Sequence, residues 1–346
     1  MGVGSLTGRE IGPTMTMTDL ARPTRSCPID VHLPAGFAAE ALKHDARRGL
    51  AAIPRSIPPK WLYDSVGSAL FEQITVLPEY YPTRSEAEIL ARHAEEICST
   101  AGCDTLVELG SGSSTKTRLL IDAMASTCGL DCYVAVDISE AAIRGAGEGL
   151  VREFPNLSVR GLVADFEHQL HLLPREGRRL VAFLGTTIGN LEPPQRHAFL
   201  DSVRATLVAG DRFLLGADLI KPTSVLLPAY DDAAGVTAAF NKNILNVLNR
   251  GVGASFDPEC FDHVALWNEN WHWVEMRLRS RCDQTVRVED LDVTVRLRAG
   301  EDIRTEVSTK FSRQGLEEEL ARVGLVPDGW WTDPGGMCSV SMWRPV

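Results

Sequence analysis

Two hydrophobic periods run along this chain, and the change from one to the other divides it. Between about residues 104 and 219, short apolar runs alternate with stretches whose apolar residues return every three or four positions. The runs at 104–109, 132–137, 157–164, 179–185 and 212–218 predict strands, and the stretches at 115–126, 139–153 and 193–207 predict helices. Such alternation predicts a doubly wound α/β architecture, a parallel sheet with helices on both faces. After residue 220 the pattern changes. Residues 229–249 read as one long helix with Val236, Phe240, Ile244 and Leu248 on a stripe. Beyond it, 263–311 alternates with period two, most clearly at 271–280, 291–300 and 302–311, which predicts antiparallel hairpins. A helix at about 313–323 and a strand pair near 325–331 and 338–343 complete the pattern.

Upstream of the alternating region, 37–50, 66–76 and 85–99 have helical spacing, broken by Pro54, Pro58 and Pro59 and by a proline-bounded loop, 78–84, that carries Tyr80 and Tyr81. Neither 31–83 nor the insertion is large enough to stand alone, so the two are expected to pack together. The predicted organisation is a flexible N-terminal extension (1–30), a substrate-capping α+β lid (31–83 plus 220–310) and a core (84–219 plus 311–346). The extension is assigned from its Gly, Thr, Pro and Ser content.

Composition narrows the function only a little. With 346 residues, 44% hydrophobic and 23% charged, the chain reads as an ordinary globular protein of one or two domains. A net charge of −11 argues against nucleic acid or an acidic membrane surface as partner. The eight cysteines contain no C-x-x-C, which argues against a zinc site or a disulfide framework and for small buried hydrophobes in a reducing cytoplasm. No apolar run approaches a membrane span, and no signal-peptide core is present. A cytoplasmic monomer without a metal is the expectation.

The chemistry concentrates at 104–117, DTLVELGSGSSTKT. A strand, a glycine turn and a helix start place backbone N–H groups and a positive helix end beside a ligand, and Gly110 lets the backbone touch it. Asp137 ends the next strand, where a carboxylate suits the two hydroxyls of a ribose. The fingerprint is incomplete, with Thr115 where a third glycine would stand, so it fits nicotinamide, flavin or S-adenosylmethionine (SAM). Three features favour SAM. Asp165-Phe166 after the third strand suits an adenine amino group and ring, although a helix cap with a core Phe is the plainer reading. FLGTTIGN (183–190) puts a polar turn at the carboxyl end of the fourth strand. The terminal antiparallel pair is typical of the methyltransferase form of the doubly wound sheet. Lys116 opposes the helix dipole, which points to an anionic partner such as the methionine carboxylate.

With these residues in view, the chain resembles the SAM-dependent L-histidine Nα-methyltransferases of ergothioneine biosynthesis, from about Phe37 to its last residue. The segments that carry the likeness are 58–75 (PPKWLYDSVGSALFEQIT), 77–84 (LPEYYPTR), 106–118 (LVELGSGSSTKTR), 183–190 (FLGTTIGN), 229–241 (AYDDAAGVTAAFN) and 305–311 (TEVSTKF). The resemblance implies a class I methyltransferase core with a lid. It implies SAM held by Gly110, Lys116, Asp137, Asp165 and Phe166, and L-histidine held by Tyr80, Asn190, Tyr230, Glu306 and Ser308. It implies three successive transfers to the betaine hercynine.

The residues themselves are compatible with this. Glu306 and Ser308 share one side of a predicted strand, and a carboxylate with a hydroxyl satisfies both ring nitrogens of an imidazole; the plainer reading is a solvated strand face. Tyr80 and Tyr230, the latter at the start of the long helix, are candidate donors or packing residues. Met276 is a pocket wall or core residue. No histidine sits in a matching motif to act as base. Asn190 and Tyr80 are therefore expected to orient the amine, with its proton lost to water or a weak polar relay. Glu306 would select imidazole over apolar rings. The alternatives are the same chemistry on a tryptophan- or tyrosine-type substrate, a nicotinamide-dependent oxidoreductase, and a non-catalytic SAM-binding protein.

Overall fold

The computed structural model describes residues 1–2, 26–112 and 116–346. Its centre is a run of five parallel strands, β3 (Thr105–Leu109), β4 (Cys132–Asp137), β5 (Ser158–Val163), β6 (Arg179–Phe183) and β7 (Arg212–Asp218). The strand β1 (Ile29–Val31) extends one edge in parallel with β5. On the other edge β14 (Cys338–Pro345) runs antiparallel to β7 and to β13 (Leu325–Thr332). The order is β1-β5-β4-β3-β6-β7-β14-β13.

Continuous apolar runs form these strands because both faces are covered. Every residue of β3 and β6 is buried. Successive β3 residues serve opposite cores. Leu106 joins Ile89, Leu90 and Ile97 of α3 (Pro82–Ala101), Leu120 and Met124 of α4 (Thr117–Thr127), and Ile143 and Leu150 of α5 (Glu140–Glu153). Val107 and Leu109 join Phe199, Leu200 and Val203 of α6 (Pro193–Thr206) and Leu316 and Leu320 of α9 (Arg313–Arg322). The chain leaves β3 for β4 and β5 on one side, then crosses to β6 on the other. The crevice outside the carboxyl ends of β3 and β6 is thus a topological switch point, the usual ligand position in open sheets.

A second sheet has the order β2-β12-β9-β8, from β2 (Arg55–Ser56), β8 (Phe261–Asn268), β9 (Trp273–Ser280) and β12 (Asp302–Thr309). A hairpin of β10 (Gln284–Val288) and β11 (Val293–Leu297) stands apart. Upstream and inserted segments meet here. Ile303 of β12 pairs with Arg55 of β2, and the helices α1 (Phe37–Ala51) and α2 (Ser65–Thr75) pack on α8 (Val236–Val252).

Two expectations need correction. The long helix at 229–249 is two helices, α7 (Thr223–Tyr230) and α8. Asp232 starts the second by accepting from Val236 N at 3.0 Å and Thr237 N at 2.7 Å, and Gly235 supplies the left-handed φ of 74°. Tyr230 therefore ends α7 instead of opening a long helix. The stretch assigned to the extension, 1–30, also overlaps β1, because Gly161 of β5 leaves room for Ile29 beside it. The rest of that stretch, 3–25, lies outside the described residues.

Candidate active site

The glycine turn after β3 approaches the site with bare backbone. Gly110 and Gly112 have φ of 69° and 50°. Gly112 N donates to Asp137 Oδ2 at 3.1 Å, and Ser139 N donates to Asp137 Oδ1 at 2.9 Å, so the carboxylate that ends β4 also fixes the turn. Burial pushes the Asp137 carboxyl above its usual range, against the pull of these N–H groups. A Cβ on Gly110 would lie 3.7 Å from the Phe166 ring. Phe166 is set by Phe183 and Phe199, with centroids 5.4 and 6.1 Å away. Residues 113–115, including Thr115 at the third fingerprint position, lie outside the described residues.

Behind the turn, Glu108 accepts from Thr117 Oγ1 and Tyr133 Oη, both at 2.6 Å, and ties the start of α4 to β3. Asp165 closes a turn and caps no helix, since the next helical residues begin at Leu170. Its Oδ1 accepts from Glu167 N and its Oδ2 meets His168 Nδ1, both at 2.9 Å. A carboxylate has further lone pairs, so the adenine role is not spent.

The anionic partner of Lys116 is present in the chain itself. Lys116 pairs with Glu86 of α3, a residue with no exposed surface. Glu86 also accepts from Gly185 N, at 2.8 and 3.0 Å to its two oxygens. The pattern held a signal, because Glu86 lies three and four positions before Ile89 and Leu90, on the buried stripe of α3. A carboxylate there must be paired.

The opposite wall is built on β12 and the turn after β6. That turn has Gly185 at φ 78° and Thr186 at 58°, then the short 3-10 helix Thr187–Asn190. A Cβ on Gly189 would come within 2.8 Å of Thr309 O, so glycine lets the turn press against β12. There Asn190 Nδ2 donates to Glu306 Oε1 at 2.9 Å. Glu306 is buried, and burial pushes its carboxyl up to about 7 although Asn190 and Lys310 pull it down. Tyr230 Oη and Ser308 Oγ share a hydrogen bond of 2.8 Å. Met276 stands opposite Glu306 in the pairing of β9 with β12 and is buried, as a wall residue should be.

Tyr80 is buried against Phe71 and Tyr230, with centroids 6.0 and 6.5 Å away. Its phenol is held well above the usual range by burial, then by Tyr230, Tyr63, Glu306 and Asp218, the groups that surround it. The structure therefore brings Tyr80, Asn190, Tyr230, Glu306 and Ser308 into one cluster. It adds two residues to which the sequence pattern gave no role. Tyr63 is 43% exposed as a residue, yet burial of its hydroxyl end, with Glu306 and Tyr230 nearby, raises its phenol as well. Lys310, fully buried, reaches both Tyr230 and Ser308. The available signal was the i, i+2, i+4 spacing of Glu306, Ser308 and Lys310, the first two on β12 and the third just past its end.

Among the described residues no group of His, Cys, Asp and Glu could hold a metal ion, the cysteines form no disulfide, and no helix is long and apolar enough to cross a membrane.

Residues 42–345 match the family described as histidine-specific methyltransferase, SAM-dependent. A histidine N-alpha-methyltransferase of Mycolicibacterium smegmatis is 52% identical over 311 residues, covering 90% of this chain and 97% of that protein. Its namesake in Mycobacterium tuberculosis is 47% identical over 311 residues, with the same coverage of 90% and 97%. An ergothioneine biosynthesis protein 1 of Schizosaccharomyces pombe is 29% identical over 263 residues, covering 72% of this chain and 33% of that one.

Proposed function

This chain belongs to the histidine-specific, SAM-dependent methyltransferase family, and from that membership we infer the work of each wall of its site. The enzyme methylates the α-amino nitrogen of L-histidine and forms hercynine, the first step toward ergothioneine. The observation that carries the assignment of residues is the hydrogen bond from Asn190, at the end of the turn after β6, to the buried Glu306 of β12.

SAM supplies an electrophilic methyl group on a sulfonium, and the residues present fit it. The bare backbone at Gly110 admits the ligand closely, Asp137 offers acceptor lone pairs for the ribose hydroxyls, and Phe166 offers a ring for the adenine. Lys116, already paired with Glu86, would meet the methionine carboxylate from the same place.

In-line displacement from a sulfonium needs positioning and exclusion of water more than acid–base force. Asn190 and Tyr80 orient the amine. Glu306 accepts the imidazole N–H, and the Tyr230/Ser308 pair meets the other ring nitrogen. The attacking nitrogen must be neutral, and its proton leaves to water or through the polar groups of the chamber. We assign the lid to 31–83 plus 220–310 and the core to 84–219 plus 311–346, with β1 added to the core. The pairing of β2 with β12 and the packing of α1 and α2 on α8 support that division.

A substrate panel tests the reading. Histidine should exceed tryptophan and tyrosine in kcat/KM by about a thousandfold or more, because neither an indole nor a phenol carries an N–H and a bare nitrogen in one small ring, and each leaves part of the Glu306 and Tyr230/Ser308 wall unpaired. Comparable turnover of tryptophan would remove the imidazole assignment.

A further inference from the structure

Lys310 lies just past the end of β12, beyond Glu306 and Ser308, with no exposed side-chain surface. Its ammonium has three N–H donors and no lone pair. All three are committed, to Asp218 Oδ2, Tyr230 Oη and Ser308 Oγ, each at 2.7 Å. Asp218 is itself held by Tyr81 Oη at 2.8 Å and by Lys221. Burial would favour a neutral Lys310, but Asp218 and Tyr230 more than offset it, and the lysine is held above its usual range. It is a fixed cation behind the substrate wall.

Neither hydroxyl can point its hydrogen at Lys310, because the lysine only donates. Tyr230 and Ser308 are 2.8 Å apart, so one O–H lies between them. Whichever of the two donates, one O–H is left over for the chamber. Beside it on the same strand face, Glu306 takes Asn190 on Oε1, and among the described residues no hydrogen bond is made to its Oε2. The wall therefore presents one acceptor and one donor.

We propose that Lys310 is a positioning residue which fixes the hydroxyl polarity of Tyr230 and Ser308, so that the pocket reads a neutral imidazole in one tautomer. The proposal rests on the histidine reading above. It goes beyond it by naming the proton pattern that is recognised and the residue that sets it. An imidazolium, with hydrogens on both nitrogens, meets a donor where it needs an acceptor. A pyrrole ring, which offers an N–H but no bare nitrogen, satisfies Glu306 and leaves the hydroxyl unpaired.

The test uses the full chain with S-adenosylhomocysteine and ring-15N histidine. The bound ring should show one protonated and one bare nitrogen in a single tautomer. In Lys310→Met the two hydroxyls are free to turn, and Asp218 keeps Lys221 and Tyr81. The preference for histidine over 3-(pyrrol-2-yl)alanine in kcat/KM should then fall from about tenfold or more to near unity, a factor typical of one lost hydrogen bond. The preference over phenylalanine, set by Glu306, should stay. A merely structural role would lower all three substrates alike. Should the single variant fail to fold, Lys310→Met with Asp218→Asn removes the buried pair together and is assayed in the same way. Protons on both nitrogens of the ring bound to the unaltered chain, or an undiminished preference over the pyrrole in a folded variant, would overturn the proposal. Lack of any histidine turnover by the unaltered chain would instead remove the reading beneath it.

Discussion

Replacing Glu306 by glutamine is expected to lower kcat/KM for histidine by about a hundredfold, the loss of a hydrogen bond to a charged group, while making the protein more stable at pH 8. The two effects share one cause. The Glu306 carboxyl is buried and lifted from 4.5 to about 7. The folded chain thus binds this proton more tightly than the unfolded chain does. The group's contribution to stability is complete below its unfolded value near 4.5 and is lost as pH rises through about 7. At pH 8 the native protein carries the full cost of an ionised buried carboxylate, about 3 kcal/mol from a shift of this size. Glutamine keeps an oxygen for Asn190 and removes the charge. Its melting temperature should exceed the wild type's by several degrees at pH 8, and the gap should shrink toward pH 5. Thermal unfolding at the two pH values checks this, and an equal or lower melting temperature at pH 8 would show that the carboxylate carries no such burden. A higher melting temperature would make the carboxylate one more case in which a site is kept at the expense of stability.

Asp137→Ala should weaken SAM binding by about a hundredfold, from loss of charged hydrogen bonds to the ribose and release of the turn. Gly112 N and Ser139 N both donate to this carboxylate, so its removal frees the backbone that must approach the ligand. Histidine affinity measured alone should change little, because Glu306, Ser308 and Tyr230 stand on other elements. Calorimetric titration of the variant with SAM and with histidine separates the two. An unchanged SAM affinity would place the ribose elsewhere.

The fold was legible wherever the sheet buries both faces. Runs such as 132–137 and 212–218 coincide with β4 and β7, because a strand covered on both sides must be apolar throughout. The failures have local causes. A single stripe at Val236, Phe240, Ile244 and Leu248 hid the break at 231–235, which depends on the Asp232 cap and a left-handed Gly235. The two-residue strand β2 carries too few positions to show a period.

In the site, residue types were legible and their partners were not. Lys116 was read as facing the methionine carboxylate, whereas Glu86, thirty positions earlier on a helix, meets it through the packing of α3 over the sheet. Lys310 drew no role from the sequence, because its counterion Asp218 stands on β7, far away along the chain. A stripe position marks a buried charge such as Glu86, but its counterion can be named only when it is near in sequence, and neither was.

The central claim is transfer of methyl groups from SAM to the α-nitrogen of histidine by a chamber that holds the imidazole on its far wall. Mass spectrometry and NMR of the product formed from histidine and excess SAM test it most directly. The account predicts hercynine, trimethylated on the α-nitrogen with an unmodified ring. A product methylated on the imidazole, or no methylated product at saturating SAM, would contradict it.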